Sequence, residues 1–427
     1  MKESFITEIK AKNCPIVGDI EISLDKKRRK HLIITGKNGS GKTTFLKEMN
    51  KFFLRVLNKK FETQKTFLSR IDRYEKYIER YKQSNLELEK QHDASEKIGE
   101  NQKEIEYRKK WIRDCEKDLE VIPKVESIFL NQAQFYEEAL SGKFILAFFE
   151  AKRENKPYVP KSISNVNLNT SPTTETKTLH TKLIDYMVRL RMTYLDAKDK
   201  KEEDKSQQID NWFKNFEKTL QNLFEREDLK LQYYNDELNF KIVYENRIFG
   251  FNELSDGYSS LIAILAELIL RMESEGFKSY DMQGVVLIDE IETHLHIGLQ
   301  KKVLPFLCDF FPKIQFIVTT HSPFVLSSLD NAIICDLERK IITQDLSAYS
   351  YDALIESYFD NDKYSGIIKE KVKKYEELSL KKNLEESEIK EKENLWKYIE
   401  NTPKFYAEEL ETKISELRLE RLLKKEK

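Results

Sequence analysis

Residues 36–43 read GKNGSGKT, three glycines set around a lysine and a threonine. A glycine-rich turn that opens a helix points several backbone N–H groups at one spot, and the helix dipole adds a field that favours an anion there. The chemistry this spacing suits is the binding of a nucleotide's phosphates. Gly36, Gly39 and Gly41 permit the unusual backbone path, Lys42 reaches the β- and γ-phosphates, and the Thr43 hydroxyl suits Mg²⁺; Asn38, Ser40 and Thr44 complete the cradle. The flanks agree, with β-rich HLIIT (His31–Thr35) before the loop and helix-compatible TFLKEMNKFFLRVL (Thr44–Leu57) after it.

Two further segments repeat the layout of an apolar strand ending in polar groups. In VVLIDE (Val285–Glu290) four apolar residues run into two carboxylates. Such a run fits a strand buried on both faces of a mainly parallel sheet. Asp289 would leave that strand beside the glycine loop and hold the Mg²⁺ shell, and Glu290 would polarise the attacking water as general base. A surface turn after a core strand is the plainer alternative for this segment alone. In FIVTTHS (Phe316–Ser322) a second apolar run ends in Thr-Thr-His-Ser, with His321 lying 32 residues beyond Asp289. Most strand-end histidines are only polar termini. Here the shared layout makes His321 a candidate sensor that donates to the γ-phosphate.

A fourth segment, FNELSDGYSS (Phe251–Ser260), leads into the apolar helical run LIAILAELILRM (Leu261–Met272). Ser255 and Gly257 at this helix start make a second anion site, with Leu254 and Asp256 counted beside them in the nucleotide-binding segment. One nucleotide cannot use both sites within one compact domain. With these four segments together, the chain resembles an ABC-type ATPase of the SMC/RecF branch. LSDGY stands where that group carries an LSGGQ-like signature, with Asp256 in place of the second-position glycine and Tyr258 in place of the glutamine. The resemblance implies an α/β fold: an ATPase head with a mixed sheet, an N-terminal antiparallel β-layer, a helical coiled-coil-like insertion and a helical C-terminal tail. It also implies that Ser255 and Gly257 complete the pocket of a partner subunit.

The block DEIETHLHIGLQKKVLPFL (Asp289–Leu307) resembles the DEIE-x-HLHP segment of bacterial ATPases named AAA but built on ABC motifs. These include ATPase subunits of Septu defence systems, retron-associated ATPases and overcoming-lysogenization-defect nucleases. His296 falls where transporter-type ATPases carry the aspartate of their D-loop, at the dimer interface.

Charged residues make up 34% of the 427, yet the formal net charge is −1. No global argument for nucleic acid follows. The basic run DKKRRK (Asp25–Lys30) reads as a solvated turn. Cys14, Cys115, Cys308 and Cys335 lack zinc-type spacing and fit a reduced compartment. The opening MKESFITEIK carries charges where a secretory leader needs an apolar core, and no apolar run approaches the ~20 residues of a membrane span. A cytoplasmic protein without a membrane partner is the expectation.

Residues 1–35 alternate in short apolar and polar runs, and 140–151 (LSGKFILAFFEA) read as a core strand. The family's water-positioning glutamine finds no place, because Gln132 and Gln134 precede that strand; Arg153 is a weak substitute. Between 59 and 123, Phe67, Ile71, Tyr74, Ile78 and Tyr81, then Ile98, Ile105, Ile112, Cys115, Leu119 and Ile122, keep a seven-residue frame. The pattern suggests a short antiparallel coiled-coil hairpin of roughly 40 Å, with two helices packed flat on the head as the alternative. Residues 160–178 read as a Ser/Thr/Asn-rich loop, 179–226 as two amphipathic helices, and 332–346 as a β-hairpin. Residues 351–427 read as helical; Asp360–Asp362 only superficially resembles a TOPRIM motif, and the absence of histidine there excludes an HNH nuclease in this chain.

The expected organisation is a head from 1–58 and 124–160, a hairpin insertion at 59–123, a helical insertion at 161–228, a second head lobe at 229–346 and a docking region at 347–427. The expected function is Mg²⁺-dependent hydrolysis of ATP. Two heads, or a higher oligomer, would close around ATP with Lys42, Thr43, Asp289, Glu290 and His321 from one chain and the signature from the other. By resemblance this serves as the sensor or regulatory subunit of an antiphage complex whose effector, a nuclease, is a separate chain. DNA stays open as a ligand. The alternative is a DNA-repair or chromosome-maintenance ATPase sharing the same site.

Overall fold

The computed structural model describes residues 3–60, 64–89, 95–152, 179–273, 282–344, 346, 366–381 and 384–401. The chain divides into two compact units, Met1–Ala348 and Tyr349–Lys427. The first is an α/β fold. Its N-terminal layer is an antiparallel sheet of β1 (Ile6–Cys14), β2 (Gly18–Ser23) and, after two long helices, β4 (Val125–Phe129), in the order β2-β1-β4. Alternating burial turns Ile9 and Ala11 of β1 and Val125 and Phe129 of β4 inward, as period-two patterning requires, and a register shift between Ile6 and Glu8 brings Ile6 into the same core.

The central sheet has six strands. It comprises β3 (His31–Thr35), β5 (Ile145–Phe149), β9 (Gly284–Ile288), β10 (Ile314–Thr319), β11 (Ala332–Asp336) and β12 (Ile341–Gln344), in the order β12-β11-β3-β10-β9-β5. All neighbours are parallel except β11 and β12, which form an antiparallel pair. The buried strands β3, β9 and β10 show no alternation because both faces are covered. Gln315 fastens the two sheets together. Its buried carboxamide accepts from Ile6 N at 2.7 Å and donates to Ile6 O at 3.0 Å and Lys30 O at 2.7 Å.

Helix α1 (Lys42–Leu57) packs Phe45, Leu46, Met49 and Phe53 into the core shared by the two sheets. Helices α2 (Gln64–Leu88) and α3 (Ser95–Val121) run antiparallel as a hairpin, and α4 (Gln132–Leu140) precedes β5. Phe67, Cys115 and Ile122 form the inner seam near the base of the hairpin, with Ile71, Tyr74 and Leu119 packed against them. At the other end Asn101 Nδ2 donates to Asn85 Oδ1 at 2.7 Å, so polar groups set the register where apolar residues run out.

Beyond β5 come α5 (Leu183–Asp199) and α6 (Glu203–Phe224), then a three-stranded antiparallel sheet, β6 (Lys230–Tyr234), β7 (Asn239–Tyr244) and β8 (Arg247–Gly250), and helix α7 (Asp256–Glu273). Glu267 interrupts the apolar run of α7 and is nevertheless buried. Arg271 Nε and Nη2 donate to its Oε1 at 2.9 and 2.8 Å, and Nη1 donates to Leu146 O of β5 at 3.0 Å. This buried, hydrogen-bonded charge pair ties α7 to the central sheet, and removing one partner would strand the other in the core. The short helices α8 (Ile297–Gln300), α9 (Val303–Phe310) and α10 (Pro323–Leu326) complete this unit.

Asp25 Oδ1 accepts from Lys27 N at 2.6 Å and Arg28 N at 3.2 Å, which makes the basic run a side-chain-closed turn. In the second unit the described helices Gly366–Leu380 and Glu386–Asn401 pack Tyr375 against Trp396, with ring centroids 5.3 Å apart. The expected loop at 160–178, Arg153 and Asp360–Asp362 lie outside the described residues. Among the described residues no helix is long and apolar enough to cross a membrane.

Candidate functional site

The parallel strands deliver their C-terminal ends to one edge of the central sheet, where ligands of open α/β sheets bind. The glycine loop joins β3 to α1 at this edge. Gly36, Gly39 and Gly41 take φ values of +136°, +86° and +94°, and a side chain on Gly41 would place its Cβ 2.6 Å from Val17 Cγ2. Lys37, Asn38 and Gly39 form the exposed rim of the loop, while Lys42 is buried and Thr43 and Thr44 are half-buried at the helix start. Lys42 Nζ donates to Gly36 O at 2.8 Å and Lys37 O at 3.1 Å, so the lysine folds back over its own loop. The first turn of α1 holds no acidic residue to oppose the positive end of the helix. Ser40 Oγ is buried and without a hydrogen-bond partner, so a polar group already faces the cradle. The donor set therefore fits a polyphosphate.

The carboxylates come from the end of β9, two strands from β3. Asp289 Oδ2 accepts from Thr43 Oγ1 at 2.8 Å, and Asp289 Oδ1 accepts from Thr319 Oγ1 at 2.6 Å. The hydroxyl of Thr43 and the carboxylate of Asp289 are the hard oxygen donors that Mg²⁺ prefers. Among the described residues no cluster of three His, Cys, Asp or Glu could hold a metal ion.

Thr319 does more than the sequence reading assigned. Its hydroxyl donates to Asp289 and accepts from Glu290 N at 2.8 Å, and its carbonyl accepts from Ile291 N at 3.1 Å. It thereby shapes the turn that carries Glu290, which sits at φ +44° with Thr293 Oγ1 3.4 Å from its Oε2. A β-branched residue at the end of an apolar strand is unremarkable alone. The available signal was only that both apolar runs, Val285–Ile288 and Phe316–Val318, end in polar groups.

Glu292 is the second residue missed. Its Oε1 accepts from His321 N at 2.5 Å, which ties the turn after β10 to the turn after β9. Burial raises its pKa above the usual carboxylate value and the nearby Glu290 charge adds to this, while the His321 N–H and the Thr320 hydroxyl act the other way. His321 is half-buried. Its pKa is lowered, first by burial and then by the Lys42 charge, with Glu290 and Asp289 opposing. Burial likewise lowers the pKa of Lys42, against the pull of Glu290, Asp289, Glu292 and Asp336. The direction of the His321 shift favours the neutral imidazole, which has one N–H to donate.

Among the described residues the water-positioning glutamine stays unassigned. Gln132 and Gln134 lie on α4, where Gln132 Oε1 accepts from Phe129 N and Gln134 Nε2 donates to Glu138 Oε1. The residue that follows Phe149 at the sheet edge is Glu150, and Asp289 N donates to Phe149 O at 2.8 Å.

The signature segment is elsewhere. Ser255 and Asp256 are exposed at the N-terminus of α7, Leu254 and Tyr258 are half-buried, and Gly257 is buried. Ser255, Asp256, Gly257 and Tyr258 line a cavity of about 500 Å³ with Glu225, His294 and His296, and no residue of the glycine loop reaches it. Tyr258 stacks on Phe224 with centroids 4.2 Å apart and planes 6° from parallel, so here the departure from glutamine is a packing device. His296 caps α8, its Nδ1 accepting from Gly298 N at 3.3 Å. Gly257 is demanded by contact, because a Cβ there would lie 2.7 Å from the backbone oxygen of His294. Gly257→Ala should therefore cost about 1–3 kcal/mol by overpacking. The check is a lower urea midpoint at unchanged m-value; an unshifted midpoint would mean that the turn gives way freely.

Comparison with known proteins places these features. The chain is 33% identical over 162 residues to the Septu protein PtuA of Bacillus mycoides (strain KBAB4), across 34% of this chain and 22% of that one. It is 40% identical over 82 residues to the Retron Ec83 probable ATPase of Escherichia coli, across 18% of this chain and 15% of that one. It thus spans less than a quarter of the length of either relative. Among solved structures, the Smc head domain of Pyrococcus furiosus, with an extended coiled coil and bound to the C-terminal domain of ScpA, aligns over 80% of this chain and 95% of that one, at 13% identity and a TM-score of 0.34. The profile of one family spans the glycine loop, the carboxylate-bearing turn after β9, the signature and His321. On that match, across residues 32–327, the chain belongs to the AAA_21 family, described as "AAA domain, putative AbiEii toxin, Type IV TA system".

Proposed function

We propose that the chain binds and hydrolyses ATP between two copies of itself and so acts as a nucleotide-driven switch. One copy supplies the glycine loop, with Lys42 at the β- and γ-phosphates and Gly36, Asn38, Gly39, Ser40, Gly41 and Thr44 around them. Thr43 and Asp289 would hold Mg²⁺, which when bound neutralises developing phosphate charge. Glu290 orients and deprotonates the attacking water, and the neutral His321 donates to the γ-phosphate. The second copy supplies Leu254, Ser255, Asp256 and Gly257 at the N-terminus of α7. The observation that carries this reading is a phosphate-suited helix start at Lys42 and a second, exposed helix start at Asp256, in sites with no residue in common; the acidic Asp256 leaves the anion contact there to Ser255 and Gly257.

Closure on ATP and release after hydrolysis would bias two arrangements of the assembly, as expected of a ligand with different affinity for each. The likeness to Septu and retron ATPases supports a regulatory place in an antiphage complex, with a nuclease as a separate effector. The test is phosphate release by the purified full chain with Mg²⁺ and ATP, beside phage plating on cells expressing it with its genomic neighbour. Lys42→Ala should lower release by about 10²–10³-fold and remove protection together. Turnover that survives the substitution would refute the site. Lys42-dependent turnover in cells that stay fully phage-sensitive would move the role to DNA maintenance.

A further inference from the structure

The hairpin of α2 and α3 carries a feature that nucleotide turnover does not use. Tyr77, Tyr107 and Trp111 are 38%, 51% and 43% exposed on helices whose other large side chains mostly turn inward. Guanidinium groups are threaded between them. Arg108 Cζ lies 5.2 Å from the Tyr77 ring centre and 5.8 Å from that of Tyr107, and Arg80 Cζ lies 5.9 Å from Tyr77. Tyr107 and Trp111, one helical turn apart, meet edge to face at 6.0 Å. Arg108 also pairs with Glu104 at 3.0 Å, which holds its plane in place between the rings.

The charge follows the rings. Residues 73–82 hold four basic and two acidic side chains, and 104–113, which lie across from them, hold the same numbers. The rest of the two helices holds five basic and eight acidic residues, so the hairpin is acidic toward its ends and basic only around the rings. A surface of this kind suits a flexible polyanion that carries flat faces. Exposed rings offer stacking to any base, arginine planes add cation–π contacts, and the surrounding lysines meet phosphates. A protein hot spot draws on the same Trp, Tyr and Arg residues, and the excess of basic side chains confined to the rings is what favours a polyanion over a protein partner. The exposed aliphatics of the hairpin, Leu68, Leu86 and Val121, all fall outside both basic segments.

We infer that this face of the α2–α3 hairpin binds single-stranded nucleic acid, with Tyr77, Tyr107 and Trp111 stacking bases and Arg80 and Arg108 bridging rings and phosphates. The surface stands apart from the nucleotide site, so the inference holds or falls without the ATPase reading.

Tryptophan emission tests it directly. The chain has three tryptophans, and Trp212 and Trp396 are 7% and 6% exposed, so Trp111 is the one a base can stack upon. Full-length protein without ATP is titrated with oligothymidylate, oligouridylate and a duplex of equal length, following emission and the anisotropy of a labelled strand. The expected result is quenching by one or both single strands and affinity that falls with salt. Tyr107→Ala with Trp111→Ala should weaken binding by roughly tenfold or more at unchanged helicity and unchanged phosphate release. Trp111→Phe should keep the affinity and lose the quench. Preference for one strand type would identify the ligand as DNA or RNA. Absence of quenching, equal binding of the duplex, or full affinity in the double alanine variant would each overturn the inference. So would loss of self-association in that variant without any oligonucleotide binding, which would assign the face to a second copy of the chain.

Discussion

Glu290→Gln should still bind ATP with Mg²⁺ and should release phosphate about 10²–10⁴-fold more slowly than the wild type. The amide keeps the shape of the side chain but cannot take a proton from water. The Thr319 bond to the backbone of residue 290 and the bond between Thr43 and Asp289 do not use the altered side chain, while Glu292, His321 and Lys42 lose the influence of its charge. The turn at φ +44° should survive as well, since the same backbone bond imposes it. Two measurements decide the case: single-turnover phosphate release, and the ATP-dependent size of the protein by sedimentation. A slow variant that accumulates as an ATP-bound assembly is expected. Turnover near the wild-type rate would remove Glu290 from the role of base and point to a substrate-assisted path.

Ser255→Arg should abolish cooperative turnover while leaving nucleotide binding by the isolated chain within about twofold, an effect of about 10² or more on rate when an oriented phosphate contact is lost. Ser255 is exposed, and its cavity contains no part of its own chain's glycine loop. An arginine there costs little in the monomer and spoils the phosphate contact only in the pocket that its own helix start completes. Mixing Ser255→Arg chains with Lys42→Ala chains gives the discriminating readout. In the proposed arrangement one composite pocket of each mixed dimer pairs an intact loop with an intact signature, so part of the activity returns. If the mixture is as dead as its components, the two sites do not act across chains. Recovery with Lys42→Ala but not with a second Ser255→Arg chain would show that the helix start is used in trans.

Local features of the site were legible because their physics is local. A glycine loop between an apolar strand and a helix is contiguous over residues 31–57, and nothing outside it is needed to say that phosphates fit. The runs before Asp289 and His321 announce strands buried on both faces, and they are central in the sheet. The seven-residue apolar frame of the hairpin likewise appears as the seam of Phe67, Ile71, Tyr74, Cys115, Leu119 and Ile122. Periodicity of this kind reports which face of an element is covered.

What periodicity cannot report is the partner on the other side of the contact, and there the tertiary structure decided. Thr43 and Asp289 are 246 positions apart and meet at 2.8 Å only because β3, β10 and β9 are adjacent and parallel. The same adjacency puts the Thr319 hydroxyl between Asp289 and the backbone of Glu290, and joins Glu292 to the His321 turn. Glu267 reads as an interruption of an apolar helix until Arg271 is found paired to it and to strand β5. Asp256 and Tyr258 read as departures from a signature. In the fold Asp256 opens α7 and Tyr258 is the stacking partner of Phe224, while the glycine between them answers to the backbone of His294. Composition and spacing thus determined the kind of chemistry and the elements that carry it. Strand order determined which polar groups share a site, because a hydrogen bond depends on an ångström-scale approach that no one-dimensional pattern encodes.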